Sequence, residues 1–263
     1  MSAQPLTEPV VVEMLRSAGC VFAEDEARML LAEAGTPSRL AAMVEARMSG
    51  LPLEQVLGYA EFYGLRIAVE PGVFVPRRRT QALVAEAVRL AREAGPRPVV
   101  VDLCCGSGAV AAALAASVDA VQLFAVEIDP RAVSCARRNL AARDAVVYEG
   151  DLFSPLPRDL RGRVDVLVAN VPYVPTGAIA TMPPEARLHE PRVALDGGPD
   201  GLDVLRRVTA EATQWLSPKG RLLVESSEQQ ASAAVEAFTL GGLVAHVVTD
   251  DDLGATVVVG RSA

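Results

Sequence analysis

Asp102 opens the run Asp102-Leu103-Cys104-Cys105-Gly106-Ser107-Gly108, which overlaps the end of the apolar stretch Val99–Leu103 and precedes a helix-like stretch, Val110–Ala116. Glycines between a strand and a helix let the backbone turn tightly and approach a ligand. Read literally, Gly106-x-Gly108-x-x-Ala111 also satisfies the dinucleotide fingerprint, with Glu127 at a strand end about 20 residues further on, so the glycines alone leave NAD open. The charges favour another ligand. Asp102, Glu127 and Asp151 stand at successive strand ends, and carboxylates there suit hydroxyl and ammonium donors, whereas a pyrophosphate gains nothing from them. Asp102 can attract a cationic ammonium directly or through water, Glu127 can accept from both ribose hydroxyls, and Asp151 can receive an adenine amino group or neighbouring waters. Singly, each is as well explained as a turn residue, a solvated strand-end charge or a loop cap. Together, at the sheet edge where open α/β folds bind ligands, they imply S-adenosylmethionine. The expected contacts are Asp102, Cys104, Gly106 and Gly108 from the loop, then Glu127, Ile128, Asp151, Leu152 and Asn170.

Asn170-Val171-Pro172-Tyr173 directly follows another strand-like run, Val164–Ala169, and so lies at the same sheet edge, where a methyl acceptor must meet the donor. An amide nitrogen is a poor nucleophile because its lone pair is delocalised into the carbonyl. The Asn170 side-chain oxygen and the Val171 backbone carbonyl can hold its two N–H groups and aim the lone pair. Tyr173 can pack its ring on a planar acceptor, and Pro172 stiffens the turn. Catalysis of this kind is alignment and electrostatics, with proton loss following methyl transfer.

The elements that hold these residues are readable in outline. Val10–Ala18, Ala23–Ala34 and Ser38–Ser49 carry apolar residues at helical spacing, broken by Gly19, Gly35 and Thr36-Pro37. They predict a small helical domain over residues 1–58. Phe62–Ile67 and Val69–Val75, punctuated by Gly64 and Pro71-Gly72, predict a β-hairpin linker over 59–76. From 77 to 263, the helix Thr80–Ala94 is followed by alternating strands and helices: Val99–Leu103, Val110–Ala116, Leu123–Glu127, Arg131–Ala142, Val146–Tyr148, Val164–Ala169 and Asp203–Leu216. Alternation with Val/Leu-rich strands predicts a doubly wound, mostly parallel α/β sheet. Three more strands are expected at Arg221–Glu225, Val244–Val248 and Thr256–Val259. The last two lie too close in sequence for a crossover helix and must pair antiparallel.

Composition bounds the alternatives. Of 263 residues, 51% are hydrophobic, 22% charged and 4% aromatic, a balance that folds rather than stays disordered. The net charge of -8 opposes broad attraction to a phosphate backbone, so nucleic acid is disfavoured as a partner. Without an apolar run of about 18 residues or a signal-like N-terminus, a cytoplasmic protein with no membrane association is expected. Cys20, Cys104, Cys105 and Cys135 lack the paired spacing of a zinc site and are read as small buried side chains, with no metal expected. His189 reads as a solvated loop residue, His246 as structural, Trp215 as a core anchor, and Arg77-Arg78-Arg79 as a solvated basic run.

Taken with further segments, these motifs resemble the protein-(glutamine-N5) methyltransferases, the HemK/PrmC group of class I S-adenosylmethionine-dependent enzymes. The likeness runs through Leu57-Gly58, Glu61-Phe62-Tyr63-Gly64-Leu65, Pro71-Gly72-Val73 and Val75-Pro76-Arg77. It continues in the glycine loop, the tetrapeptide, Glu190-Pro191-Arg192-Val193-Ala194-Leu195 and Gly198-x-Asp200-Gly201-Leu202-Asp203. The resemblance implies a seven-stranded Rossmann-like sheet with an antiparallel last strand, a helical domain that helps recognise a protein substrate, and a glutamine, typically of a translation release factor, as acceptor. Three departures stand out. The usual Asn-Pro-Pro-Tyr is Asn-Val-Pro-Tyr, and the usual Pro-Arg-Pro-Glu-Thr-Glu is Pro76-Arg77-Arg78-Arg79-Thr80-Gln81. Near the end, Glu-x-Gly is Glu225-Ser226-Ser227 and Gly-x-x-Arg is Gly254-Ala255-Thr256-Val257. These leave the chemistry intact and point to weaker activity on release factors. Two other readings stay open: the same donor with an exocyclic amine of a base or small molecule as acceptor, and a non-catalytic cofactor-binding module.

Overall fold

The computed structural model describes residues 6–262; residues 1–5 and 263, the ends of the expected ranges 1–58 and 77–263, lie outside the described residues. Four helices come first: α1 (Glu8–Ser17), α2 (Ala23–Ala34), α3 (Pro37–Met48) and the short α4 (Leu53–Leu57). Their apolar faces close over Val11, Leu15, Leu30 and Val44. The third begins where expected, with Pro37 in its first turn and the Thr36 hydroxyl accepting from the Arg39 N–H. Inside this unit Arg47 is buried and binds Glu26 through both carboxylate oxygens, at 2.6 and 3.1 Å.

The linker hairpin pairs β1 (Tyr59–Phe62) with β2 (Leu65–Ala68), Phe62 opposite Leu65. The expected halves, Phe62–Ile67 and Val69–Val75, are therefore displaced. The tight turn is Tyr63-Gly64, both with left-handed φ of 50° and 73°, and Val69–Val75 contains no strand. Pro71-Gly72 is a second turn, and apolar periodicity does not distinguish which of two turns closes a hairpin.

The remaining elements are α5 (Gln81–Ala94), β3 (Val99–Leu103), α6 (Ala109–Ser117), β4 (Gln122–Glu127), α7 (Pro130–Leu140), β5 (Ala145–Glu149) and β6 (Val164–Ala169). Then come α8 (Pro184–His189), α9 (Asp203–Trp215), β7 (Leu216–Ser226), α10 (Ala231–Leu240), β8 (Leu243–Asp250) and β9 (Ala255–Ser262). Seven strands form one sheet in the order β5-β4-β3-β6-β7-β9-β8. Pairing is parallel from β5 to β7, and β9 runs antiparallel to both of its neighbours. This is the class I methyltransferase architecture, with the antiparallel last strand as expected.

Alternation along the strands builds two cores. Val100 and Val166 face the layer of Leu83, Val88 and Leu114, while Val101, Leu103 and Leu167 face Leu205, Val208 and Phe238. Trp215 anchors the second core as expected, stacked on Phe153 at 5.5 Å. The chain moves outward from β3 to β4 and β5, then returns to β6 on the other side, so β3 and β6 flank the point where strand order reverses. Ligands of open α/β sheets bind at such a point, outside the carboxyl ends of the strands.

Candidate active site

The β3–β6 register pairs Leu103 with Ala169, so the glycine loop and the tetrapeptide leave the sheet side by side. One cavity runs along both. Asp102 is 1% exposed, and its Oδ2 accepts the Ala111 N–H of α6 at 3.1 Å. Burial pushes its carboxyl up to about 8, and the nearby Glu127 adds to the rise. The loop beyond it is left-handed at Cys104 (φ 55°), Gly106 (55°) and Gly108 (76°). A Cβ on Gly106 meets nothing within 4 Å, so this glycine leaves the cavity wall open where a ligand can approach. Gly108 has another task. A Cβ there would sit 3.1 Å from the Ala136 side chain, so it lets α6 approach α7, and it is not part of the cavity wall.

Glu127 ends β4 and orders its surroundings: Oε2 accepts from Gly106 N–H at 2.8 Å, Oε1 from Ile128 and Asp129 N–H at 2.8 and 3.0 Å. Three backbone donors leave room for fewer ribose bonds than the two expected, since a carboxylate has about four acceptor positions. Asp151 faces the cavity and is held by Arg207 of α9 at 2.6 Å. Leu152, at φ 48°, and Ile128 complete the wall with Cys104. Carboxylates thus predominate on this half of the cavity, which fits a cofactor that presents an ammonium and hydroxyls.

Asn170 leaves β6 with its Nδ2 donating to the Thr80 hydroxyl at 3.4 Å. That bond engages the donor end of the amide and leaves the oxygen as an acceptor. Val171, Pro172 and Tyr173 follow in the same wall. The Tyr173 hydroxyl donates to Glu225 Oε1 at 3.2 Å and accepts from the Arg79 guanidinium. Burial, reinforced by Glu225, pushes the phenol up to about 12, so it stays protonated in the neutral range. The loop carbonyls are also fixed. Gln230 donates to the Tyr173 and Asp200 carbonyls, each at 3.0 Å, and Val174 bridges to Asp196. Side chains at Gly197 and Gly201 would collide with the Pro172 and Tyr173 carbonyls, which explains the glycines of that segment.

The linker closes the other wall. Buried Glu190 accepts the Val75 N–H at 3.1 Å and pairs with Arg77, whose guanidinium lies 4.7 Å over Phe74. Burial raises the Glu190 carboxyl and Arg77 opposes that rise. Arg77 and Arg79 are therefore cavity-lining, paired residues rather than a solvated run. His189 and His246 are not in the cavity wall, and His246 is exposed on β8 rather than held in the core. Thr80, Gln230 and Arg207 were not singled out for the site. They come from distant segments, and only their placement in three dimensions marks them.

The family model for the methyltransferase small domain matches residues 64–198. The chain is 40% identical over 235 residues to the release factor glutamine methyltransferase of Mycolicibacterium smegmatis, covering 87% of this chain and 82% of the relative. It is 36% identical over 214 residues to a 4-amino-L-phenylalanine/4-methylamino-L-phenylalanine methyltransferase of Streptomyces pristinaespiralis, covering 80% and 73%. Among solved structures, a methyltransferase from Pyrococcus furiosus shares the fold at 15% identity with a TM-score of 0.55, over 86% of this chain and all of that one.

Proposed function

The chain belongs to the family of the release factor glutamine methyltransferases, and we propose that its own acceptor is the side-chain amide nitrogen, N5, of a glutamine in a protein, first of all a release factor. The methyl donor is S-adenosylmethionine, which supplies an electrophilic methyl carbon when bound. Asp102 and Glu127 are the residues proposed to hold its ammonium and ribose, with Asp151, Cys104, Gly106, Ile128 and Leu152 around the rest.

The observation that carries the acceptor assignment is the pairing of Asn170 with Thr80 beside the glycine loop. With its Nδ2 engaged, the Asn170 oxygen is presented as an acceptor, and the Val171 carbonyl supplies a second. Two acceptors match the two N–H groups of a primary amide and turn its lone pair towards the donor. The Tyr173 ring packs on the amide plane. Because its phenol is held protonated, it is no base, and the proton released after transfer leaves for solvent. The work of the site is alignment.

Residues 1–58 are the part proposed to recognise a protein acceptor. In support, Arg47 reaches across to Glu185 of α8 at 2.6 Å, next to the segment in which Met182 lines the cavity. No described helix is long and apolar enough to cross a membrane, and a cytoplasmic site of action fits an acceptor from translation. A second reading has a specific basis: a relative of similar identity methylates an aromatic amine, and Phe74, Tyr173 and Met182 would suit an aromatic ring. The test is to offer labelled S-adenosylmethionine with the host's release factors, with 4-amino-L-phenylalanine and with bulk RNA, in separate reactions. Label in a release factor supports the proposal. Label only in the amine or only in RNA contradicts it.

A further inference from the structure

We propose that Arg79 is a positioning residue for the acceptor, acting through the phenol of Tyr173; the idea rests on the acceptor role just proposed for that tyrosine. The one-turn helix Arg78–Thr80 stands against both side chains of the acceptor site. Thr80 takes the Asn170 amide, and Arg79 takes the Tyr173 hydroxyl, so consecutive residues fasten the two groups that would align the acceptor.

Arg79 does this through a closed triangle. Its Nε donates to Glu225 Oε1 at 3.0 Å, its Nη2 donates to the Tyr173 oxygen, and the phenol donates to the same Glu225 oxygen at 3.2 Å. The guanidinium carbon lies 5.6 Å from the Tyr173 ring centroid. Each corner limits the movement of the others.

Electrostatics makes the arginine necessary. Glu225 is 2% exposed, its Oε2 has no hydrogen-bond partner, and Arg79 is its one ion-pair partner among the described residues. A buried carboxylate that loses its cation is left uncompensated, so Tyr173 would lose a defined partner as well as a donor. A lysine could keep the charge but could not span carboxylate and phenol with a rigid fork. The last β6–β7 pair is Ala169 with Val224, so Asn170 and Glu225 are the next residues along the two strands and the triangle lies at the start of the tetrapeptide.

The test uses the full chain labelled with [13C-ζ]tyrosine. It contains four tyrosines, and Tyr173→Phe assigns the resonance of interest. Arg79→Gln is expected to shift or broaden the Tyr173 resonance while Tyr59, Tyr63 and Tyr148 stay in place. If all four move, Arg79→Lys is read instead, with a smaller Tyr173 shift expected. Turnover on a release factor should fall about tenfold in Arg79→Gln, as for a loosened alignment, with cofactor affinity unchanged and partial recovery in Arg79→Lys. In a Tyr173→Phe background, Arg79→Gln should cause no further loss. An unmoved Tyr173 resonance, or a full further loss in that background, overturns the proposal. A wild-type protein that methylates no release factor would sink the acceptor assignment, and the resonance alone would then judge Arg79.

Discussion

Asp102 carries a proton in the free protein below about pH 8 because its carboxyl is buried, and this couples cofactor binding to pH. A bound ammonium favours the carboxylate, so binding should release a proton, and affinity should rise with pH and level off above about 8. Calorimetry in buffers of different ionisation heat checks this, and Asp102→Asn should abolish the dependence. Stability runs the other way. The folded value lies above the unfolded one near 3.9, so the native state holds the extra proton between them, and this contribution is lost as pH rises from about 4 to about 8. Glu127→Ala should weaken S-adenosylmethionine by about 1–3 kcal/mol, partly by freeing the Gly106, Ile128 and Asp129 N–H groups. Unchanged affinity would remove Glu127 from the cofactor site. Asn170→Ala should leave cofactor affinity nearly intact and reduce turnover on the order of 10²-fold; wild-type turnover would defeat the aligned-amide mechanism. The positions of these residues were legible because each lies at the carboxyl end of a strand, or just past it, that its own sequence announces. Thr80 and Gln230 were not, since they reach the tetrapeptide from 90 and 57 residues away.

The sheet elements were readable where local pattern and tertiary environment agree. Val99–Leu103 and Val164–Ala169 appear with the expected ends because both are buried on two faces and bounded by turn residues or charges. The helix Ala231–Leu240 was not anticipated: its apolar residues crowd together and give little amphipathic signal. The short Leu53–Leu57 helix is one turn of a kind that packing, not periodicity, decides. The acceptor loop is where elements meet most tightly, through Gly201 at φ 80° under the Tyr173 carbonyl. Gly201→Ala should therefore cost about 1–3 kcal/mol of stability for backbone strain, plus the displacement of Tyr173. Thermal unfolding and turnover should fall together, and a variant with full activity would show that the loop tolerates movement.

At the scale of the molecule, the glycine loop and the tetrapeptide leave the sheet at one edge, and the linker supplies Phe74, Pro76, Arg77 and Arg79 to the cavity beside them. Arg47, buried between Glu26 and Glu185, is the tie between the helical unit and the wall beyond the tetrapeptide. Arg77 and Arg79 each pair with a buried carboxylate, Glu190 and Glu225, and so belong to the wall of the cavity. Alignment of a glutamine amide is tested by fragmentation mass spectrometry of host-extract proteins after incubation with the enzyme and isotope-labelled S-adenosylmethionine. One labelled methyl group on a glutamine side-chain nitrogen, absent with Asn170→Ala, is the predicted result. Labelled methyl found only on other residues, on RNA or on a small amine would contradict it.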